Sequence, residues 1–470
     1  MKIGQTSAVH FLSQLSLSLM GFLANLYLAN VLGASVLGTY FLSVSIIIWL
    51  SVLGDIGIHN ALKKRLSEGC RSDHVWTASV VLQLATLVVL SAGVVLFSGS
   101  LNRYVGAPIA MIVLVALWTN VAFEFVKATL DGGHKVHISS LLDPANVGVR
   151  SVVQIVFTFA GYRLFGLFFG FVLGEIIALV IGLKFVTKRV TTPNRTDFRR
   201  LIDFAKFSWI SPVKGRSFLS MDTIILAWFV ANSQIGVYEI AWNVAAIFAI
   251  FTASVGRAMF PEMSQASTEN DGDRIATYTE LSLSFSGLFI IPGLVGSVLL
   301  GEFVLSLYGA EFTAGYTTLI VLVCSRLVAS FESQFTNTLN AVDRPELTMR
   351  SNLLFVGTNA VANVVLIDQF GIMGAAAGTT VAVLLSGGYA YSLAVSEVPF
   401  VIPFDEFARQ AGSAVIMGVV VFVGMGLVPS TLIWNLGLIC LGAIVYLFVL
   451  LALSDTFRTA VVSNVLSSDV

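Results

Sequence analysis

The chain has 470 residues, and its 26 basic and 27 acidic side chains make up only 11% of them, whereas soluble domains carry about 25% charged residues. Hydrophobic residues reach 56%, which leaves too little polar surface to cover a water-soluble body of this size and excludes a soluble enzyme. The net charge of -1 excludes a polybasic nucleic-acid-binding protein, and the three scattered cysteines exclude a disulfide framework or a zinc cluster.

Apolar stretches long enough to cross a bilayer recur along the whole chain. A membrane-spanning helix needs about 20 predominantly apolar residues, and Gly, Pro and charged residues separate fourteen stretches of about that length. Their approximate limits are 8–29, 36–57, 75–98, 108–129, 144–161, 163–186, 207–231, 235–256, 279–300, 313–340, 350–368, 372–394, 410–429 and 432–453. The sequence therefore predicts an all-α polytopic membrane protein with about fourteen transmembrane helices, numbered here as spans 1 to 14.

Basic residues fall in alternate loops between these spans. The loops that follow spans 2, 4 and 6 contain Lys63, Lys64, Arg65, Arg71, Lys135, Lys188, Arg189, Arg195, Arg199, Arg200 and Lys206. The loops between them hold Arg103 and little else. Because basic loops stay on the cytoplasmic side, both termini of this multi-pass protein are predicted to lie in the cytoplasm, with the spans in the cell membrane.

Two segments of the chain repeat at an offset of 198 residues. The matched pairs are Leu28 and Leu226, Ala29 and Ala227, Ser35 and Ser233, Gly38 and Gly236, and Tyr40 and Tyr238. Since spans 1 and 7 both start from the cytoplasm, the pattern predicts two parallel six-helix lobes, residues 1–200 and 201–400, with a cavity between them. Residues 401–470 would then hold two extra helices, spans 13 and 14, and a short cytoplasmic tail.

The repeated segments also carry a family resemblance. Val31–Tyr40 and Gly54–Gly57 resemble the opening of prokaryotic polysaccharide flippases of the Wzx type, and so do Asp222–Leu226, Gly236–Tyr238 and Phe260–Pro261 in the second half. These flippases belong to the multidrug/oligosaccharidyl-lipid/polysaccharide exporter superfamily, which also contains multidrug extruders and lipid II flippases. The resemblance implies a V-shaped pair of lobes that moves a lipid-linked saccharide by alternating access, with spans 13 and 14 helping to accommodate the lipid tail.

Four cations fall within predicted spans: Arg150, Lys214, Arg216 and Arg326. None has a carboxylate three or four residues away on its own helix, so a local ion pair neutralises none of them. They would line a cavity that binds an anionic phosphate or pyrophosphate, or they would pair with acids on other helices. Lys214 and Arg216 lie near the predicted cytoplasmic interface, which their long side chains would reach by snorkelling.

Polar side chains recur at helical spacing in three of the predicted spans. The stripes are Asn146, Arg150 and Gln154 in span 5, Arg326, Ser330, Gln334 and Asn337 in span 10, and His10, Gln14, Ser18 and Asn25 in span 1. Such stripes are expected to face protein or water and not lipid. Asn25 and Gln334 are therefore predicted to bind substrate together with the four cations.

A stripe of small residues marks span 6. Gly166, Gly170 and Gly174 recur every four residues, a spacing that brings them to one side of a helix. Glycine stripes of this kind are typical of close helix packing in membranes, so we expect a neighbouring helix to contact this side.

Four acids are candidates for ion coupling or gating: Asp55, Glu175, Asp222 and Glu332. Asp222 and Glu332 have no basic residue one turn away, so they would bind a coupling proton or sodium ion, or would neutralise the cations described above. Asp55 lies near the predicted inner surface with His59 four residues away, which favours a gate or a helix cap over a substrate ligand.

The pattern as a whole predicts a flippase of a lipid-linked oligosaccharide, and not an enzyme. The chain has neither a phosphate-binding Gly-rich loop nor a nucleophile elbow, and no cofactor or metal is expected beyond a coupling proton or sodium ion. The expected partners are the lipid-linked oligosaccharide, membrane lipids, and glycosyltransferases or a polymerase of the same pathway. The alternative is an ion-coupled exporter of drugs or small cations, which commonly has twelve helices and would need an acidic, aromatic cavity.

Overall fold

A computed structural model of the chain describes residues 3–69, 71–208 and 210–459, and within these ranges the side chains from Met20 onward except at 207–212. Every element in this part of the chain is helical, which confirms the all-α prediction. The helices are α1 (Ile3–Asp55), α2 (Ile58–Ser67), α3 (Ser72–Leu96), α4 (Ser98–Val105), α5 (Ala110–Gly132), α6 (Val136–Phe159), α7 (Arg163–Leu183), α8 (Arg195–Ser208), α9 (Ile210–Leu226), α10 (Asn232–Ile247), α11 (Ile250–Thr268), α12 (Gly272–Ser286), α13 (Ile290–Ser306), α14 (Tyr316–Ala341), α15 (Pro345–Glu397), α16 (Phe404–Leu427) and α17 (Leu432–Leu453), with a 3-10 turn at Ala310–Gly315.

Nine helical segments of the described ranges are long and apolar enough to cross a membrane, and a bent pair, Asn232–Ile247 with Ile250–Thr268, makes a tenth. The two longest helices each contain a non-helical break, α1 at Gly33 and α15 at Gly371, at the turns predicted between spans 1 and 2 and between spans 11 and 12. Two helices of predicted spans are not among these segments. The helix α6 is not apolar enough, because it carries Arg150 and other polar residues, and α9 has only 17 residues. The multi-pass membrane fold is confirmed, and the count of fourteen stays a prediction.

The chain folds as two compact units, Met1–Glu239 and Ile240–Val470. In the first unit α6 packs along α7 and against α1, and the short helices α2 and α8 pack together through Leu62, Leu66 and Leu201. In the second unit α14 packs along α15, while α16 packs between α13 and α17. The lobe limits predicted at residues 200 and 400 stay predictions.

The predicted glycine stripe of span 6 lies in the contact between α7 and α6. A Cβ atom at Gly170 would lie 2.3 Å from Cγ of Gln154, and one at Gly174 would lie 2.8 Å from the carbonyl oxygen of Asn146. No larger residue fits at these positions without moving α6, so the sequence pattern has a direct physical cause. The polar stripe of α6 is thereby held against α7, inside the first unit.

One turn recurs in the two halves with the same hydrogen bond. The Lys135 amide donates to the Leu130 carbonyl over 2.8 Å after α5, and the Arg344 amide donates to the Leu339 carbonyl over 2.9 Å after α14. The residue that precedes each amide has a left-handed φ of 58°. This is a common end of an α-helix, and the same bond follows α11, where the Asp271 amide donates to the Ala266 carbonyl over 3.0 Å.

Candidate functional site

The guanidinium of Arg150 is held by aromatic side chains in the first unit. It lies 4.9 Å from the ring centroid of Phe171 and 5.6 Å from that of Tyr40, and it donates a hydrogen bond to the Tyr40 hydroxyl. Gln154 Nε2 donates to the same hydroxyl over 2.9 Å and to the Leu167 carbonyl over 2.9 Å. These partners are uncharged and orient the guanidinium, and the buried carboxylate of Glu175 on α7 lies close enough to interact with it electrostatically. The polar stripe of span 5 faces protein, as its spacing predicted.

Arg326 has a similar aromatic environment in the second unit. Its side chain on α14 is 8% exposed, and its guanidinium lies 4.0 Å from the ring centroid of Trp242 on α10. A guanidinium at this distance is attracted by the negative face of the indole, and the attraction strengthens when water is excluded. The Trp242 ring therefore holds the buried guanidinium of Arg326 in a defined plane.

Gln334 continues the same face of α14 two turns further along the helix. It is 1% exposed, and its amide oxygen lies 3.5 Å from Nδ2 of Asn337. A Cβ atom at Gly256 on α11 would approach that oxygen to 3.4 Å, so the glycine admits the amide between the two helices. The predicted stripe of α14 is thus buried within protein.

The remaining predicted substrate ligands belong to the first unit and are partly exposed. Lys214 and Arg216 lie two residues apart on α9, and both side chains are half-buried. Asn25 on α1 is also half-buried, whereas the other members of its predicted stripe, His10, Gln14 and Ser18, lie outside the described side chains. The structure therefore gives Arg150 and Arg326 defined aromatic partners and leaves the roles of Lys214, Arg216 and Asn25 as predictions.

Glu175 on α7 is enclosed by neutral donors from α5. The side chain is 2% exposed, and its two carboxylate oxygens accept hydrogen bonds of 2.6 Å each from the Thr119 hydroxyl and the Asn120 amide. Both hydrogen bonds join α7 to α5 inside the protein, so this arrangement holds the two helices together. The geometry favours a structural role for Glu175 within the first unit.

Two buried acids lie on consecutive helices, Asp222 on α9 and Glu239 on α10, and each is bound by a hydroxyl group of the other helix. The Tyr238 hydroxyl donates to Asp222, and the Thr223 hydroxyl donates to Glu239. Asp222 is 3% exposed and Glu239 is 8% exposed, so both carboxylates lie inside protein. A carboxylate buried among hydroxyl groups is a chemically suitable site for a proton or a sodium ion.

Glu332 is buried between α14 and α15 in the second unit. It is 3% exposed, and the Ser351 hydroxyl lies 3.5 Å from one of its carboxylate oxygens. A Cβ atom at Gly387 would lie 3.5 Å from the Glu332 Cβ, so α15 closely approaches this side of α14. Because the packing around Glu332 is close, a change of its charge is expected to alter the contact between α14 and α15.

Asp55 is the last residue of α1, and its side chain binds the first turn of α2. The carboxylate accepts the backbone amide of His59 over 2.8 Å, and it lies 3.3 Å from the imidazole Nδ1 of the same residue. An aspartate that satisfies a free amide of the first turn stabilises the helix start. This geometry favours the cap over the gate among the interpretations that the sequence left open.

An apolar groove opens between α13 and α16 in the second unit. It encloses a volume of about 500 Å³ and is lined by Leu294, Val298, Gly418, Val419 and Phe422 among other apolar residues. The uncharged helix α17 packs on α16 as well. Such a groove is suited to a hydrocarbon chain, and it borders span 13, where the sequence predicted the lipid tail.

Sequence reasoning missed the aromatic partners of the charged residues. Tyr40 and Tyr238 bind Arg150 and Asp222 respectively, and their spacing of 198 residues in the repeat was a usable signal. Trp242 gave no such signal, because its contact with Arg326 joins two helices that are far apart in the sequence.

Two family models match the chain. The polysaccharide biosynthesis protein family matches residues 3–267, and the MatE family matches residues 217–365. A protein of Haloferax volcanii named probable flippase AglR is 31% identical over 467 residues, and the alignment covers 98% of each chain. A second protein of that organism, named probable low-salt glycan biosynthesis flippase Agl15, is 27% identical over 384 residues and covers 81% of this chain and 80% of its own.

Solved structures with the same fold include two kinds of transporter. The lipid II flippase MurJ in an inward closed conformation matches with a TM-score of 0.82 and 15% identity, over 95% of this chain and 98% of that chain. An inward-facing multidrug resistance MATE family transporter of the MOP superfamily matches with a TM-score of 0.67 and 14% identity, over 81% of this chain and 95% of that chain. At these identities the likeness concerns the fold.

Proposed function

Because the chain belongs to the polysaccharide biosynthesis protein family, we propose that it is a flippase that carries a lipid-linked oligosaccharide from the cytoplasmic to the outer leaflet. The similarity to the probable flippase AglR over 98% of both chains is the observation that carries this proposal. The name of the second relative, Agl15, links such a flippase to glycan biosynthesis. Both relatives are named as flippases, so we propose transport without catalysis for this chain.

The buried cations support an anionic cargo. Arg150 is oriented by the hydroxyl of Tyr40 and the rings of Tyr40 and Phe171, and Arg326 lies over Trp242. A planar guanidinium donates paired hydrogen bonds to phosphate oxygens, so each arginine is suited to a polyprenyl- or dolichyl-linked phosphate or pyrophosphate. Lys214, Arg216, Asn25 and Gln334 are the further proposed contacts for the headgroup and its sugars.

The groove between α13 and α16 supports a place for the lipid tail. A polyprenyl chain is too long and too apolar to enter a polar passage, so it must stay in contact with lipid while the sugar crosses. Between Gly412 and Leu453 the chain has no charged residue, and the groove surface is formed by aliphatic and aromatic side chains. We propose that the tail lies along this groove during transport.

Coupling is proposed to use a proton or a sodium ion. Asp222 is buried beside the Tyr238 hydroxyl, and Glu332 is buried beside Ser351. A buried carboxylate that is charged in one conformation and neutral or ion-bound in another links an ion gradient to a conformational change. No further cofactor is proposed.

The proposed setting is the cell membrane, with both termini in the cytoplasm. The alternation of basic and nonbasic loops supports this orientation. Glycosyltransferases that build the oligosaccharide on the inner leaflet would supply the cargo, and a polymerase or a transferase on the outer side would consume it.

The second candidate is an ion-coupled exporter of drugs or small cations, which the match of the MatE family model to residues 217–365 favours. Deletion of the gene separates the two. The flippase proposal predicts a lipid-linked oligosaccharide accumulating on the inner leaflet, loss of a surface glycan, and unchanged sensitivity to cationic drugs. The intact chain should restore the glycan, and Arg150→Gln should not. Unchanged surface glycan together with increased drug sensitivity would replace the flippase by the exporter.

A further inference from the structure

The amphipathic helix α8 packs along one side onto the rest of the first unit. Leu201 and Ala205 are buried in an apolar cluster with residues of α2 and α3, and Phe198 packs on the same cluster. The start of α8 is capped by Asn194 and Asp197, because the backbone amide of each donates to the side chain of the other over 3.0 Å. The helix therefore has a fixed position and orientation on the protein.

The level of α8 along α3 places it at the inner boundary of the bilayer. Trp76 of α3 packs against the cluster that holds α8, and the Thr191 amide just before α8 donates to the Thr77 hydroxyl over 3.1 Å. Val81 follows Thr77 by one turn, about 6 Å along the helix. From Val81 and Leu84 onward, apolar side chains of α3 are exposed, as expected of a surface that faces lipid. The helix α8 thus lies at the depth of the lipid headgroups.

The opposite side of α8 is basic and has an apolar residue near its centre. Four cations of this helix are exposed, namely Arg195, Arg199, Arg200 and Lys206. The exposed acid of the same stretch is Asp203, which lies 3.7 Å from Arg199 and 3.0 Å from Lys206, so positive charge remains in excess. Ile202 lies one turn from both of these cations and is 51% exposed. Cations around an exposed apolar side chain are typical of helix surfaces in the membrane interface.

Basic residues are concentrated in the first unit as a whole. Residues 1–239 contain 19 basic and 11 acidic side chains, whereas residues 240–470 contain 7 basic and 16 acidic side chains. Membrane topology gives no reason for this difference, because both halves have loops on the predicted cytoplasmic side. The difference indicates an anionic partner that binds the first unit.

We propose that the exposed face of α8, formed by Arg195, Arg199, Ile202 and Lys206, binds the phosphate headgroups of anionic lipids in the inner leaflet. The basic side chains donate hydrogen bonds to phosphate oxygens, and Ile202 contacts hydrocarbon between the headgroups. A membrane lipid fits this face better than a soluble anion, because α8 lies at headgroup depth and Ile202 is exposed among the cations. Since α8 is fixed on α2 and α3, lipid binding anchors the cytoplasmic end of the first unit in the interface.

Lipid binding can be measured on the full chain without any cargo. In a chain freed of its natural cysteines, Thr196→Cys on the exposed side of α8 carries a bimane fluorophore. In detergent, dioleoylphosphatidylglycerol should shift the bimane emission in a saturable manner, and the neutral dioleoylphosphatidylcholine should not. An equal response to both lipids would overturn the proposal, because charge would then play no part in binding.

Removal of two cations tests which surface binds the lipid. Arg195→Gln with Arg199→Gln should raise the concentration of phosphatidylglycerol that gives half of the shift about tenfold or more. The matched control is Arg103→Gln with Arg163→Gln, which removes two exposed cations of the same unit on the side predicted to face outward. This control should bind as the parent does, and both variants should melt as the parent does in phosphatidylcholine. Binding that is unchanged in the α8 variant, or weakened equally in both variants, would contradict the proposal.

The apolar part of the face separates a lipid from a soluble anion. Ile202→Ser removes the exposed aliphatic side chain and should weaken the binding of phosphatidylglycerol about threefold to fivefold. Inorganic pyrophosphate has the charge without the hydrocarbon, so at the same concentration it should not displace the lipid. Displacement by pyrophosphate, together with parental binding by Ile202→Ser, would replace the lipid surface by a site for soluble anions.

Discussion

The guanidinium of Arg326 lies 4.0 Å above the indole ring of Trp242, and the pair is buried within the second unit. Stacking on an aromatic face fixes the plane of the guanidinium while leaving its edge for hydrogen bonds. This contact offsets part of the free-energy cost of burying the cation. It also separates two properties of Arg326, its charge and its planar shape, which substitutions can remove one at a time.

For Arg326 we expect a graded loss of transport. Arg326→Lys keeps the charge and loses the planar fork, so it should retain part of the rate, whereas Arg326→Gln should abolish transport. Trp242→Leu leaves the charge and removes the platform, which should destabilise the protein by about 0.5–2 kcal/mol. Reconstituted vesicles with a labelled lipid-linked oligosaccharide give the rates, and thermal unfolding in detergent gives the stability. Parental transport by Arg326→Gln would remove Arg326 from the cargo path.

Transport should lose its dependence on an ion gradient when a coupling acid is replaced by the amide of the same size. Asp222→Asn and Glu332→Gln remove the charge of the two buried carboxylates and keep their volume. If either acid binds the coupling ion, the amide variant should transport at a rate that no longer rises with an imposed proton or sodium gradient. Tyr238→Phe is the matched control for Asp222, since it removes the hydroxyl donor and leaves the carboxylate. Gradient responses equal to the parent's in both amide variants would make the two acids structural.

Overpacking of the α6–α7 seam should lower stability. Gly170→Leu places a side chain where a Cβ atom already lies 2.3 Å from Gln154, so we expect a loss of about 1–3 kcal/mol and a lower melting temperature in detergent. Gly93→Leu, on the open side of α3, is the control and should melt as the parent does. If both variants melt together, the seam of α6 and α7 is not packed as described.

The sequence predicted helix faces well because helical spacing and burial are local properties. The stripe of Asn146, Arg150 and Gln154 and the stripe of glycines on α7 were both assigned to protein contacts, and the two meet. The partner of Arg326 was not predictable, because it depends on how α10 and α14 pack. The role of Asp55 could not be decided from the sequence for the same reason. The distance between its carboxylate and the His59 amide depends on how the turn before α2 folds.

The orientation can be tested with single cysteines at exposed positions. In a chain freed of its natural cysteines, Ser100→Cys on α4 should react with an impermeant thiol reagent in intact cells. Thr192→Cys, in the basic loop before α8, should react only after the membrane is permeabilised, because basic loops remain in the cytoplasm. The reverse pattern would invert the proposed direction of transport.

Blocking the groove between α13 and α16 should slow transport more for a long lipid tail than for a short one. Val298→Trp and Val419→Trp each place an indole into a groove of about 500 Å³, where it competes with a hydrocarbon chain for the same apolar surface. We expect transport of a long polyprenyl-linked oligosaccharide to fall about tenfold, and transport of a short-chain analogue with the same headgroup to change little.

Val89→Trp is the control for the groove variants, because Val89 on α3 is 71% exposed and lies in the first unit. It adds the same indole to a lipid-facing surface away from the groove and should leave transport of both substrates unchanged. Comparing two lipids in each variant separates a defect in tail binding from a general loss of folded protein, which would lower both rates equally. Equal rates for the long lipid in the parent and both groove variants would show that the tail takes another path.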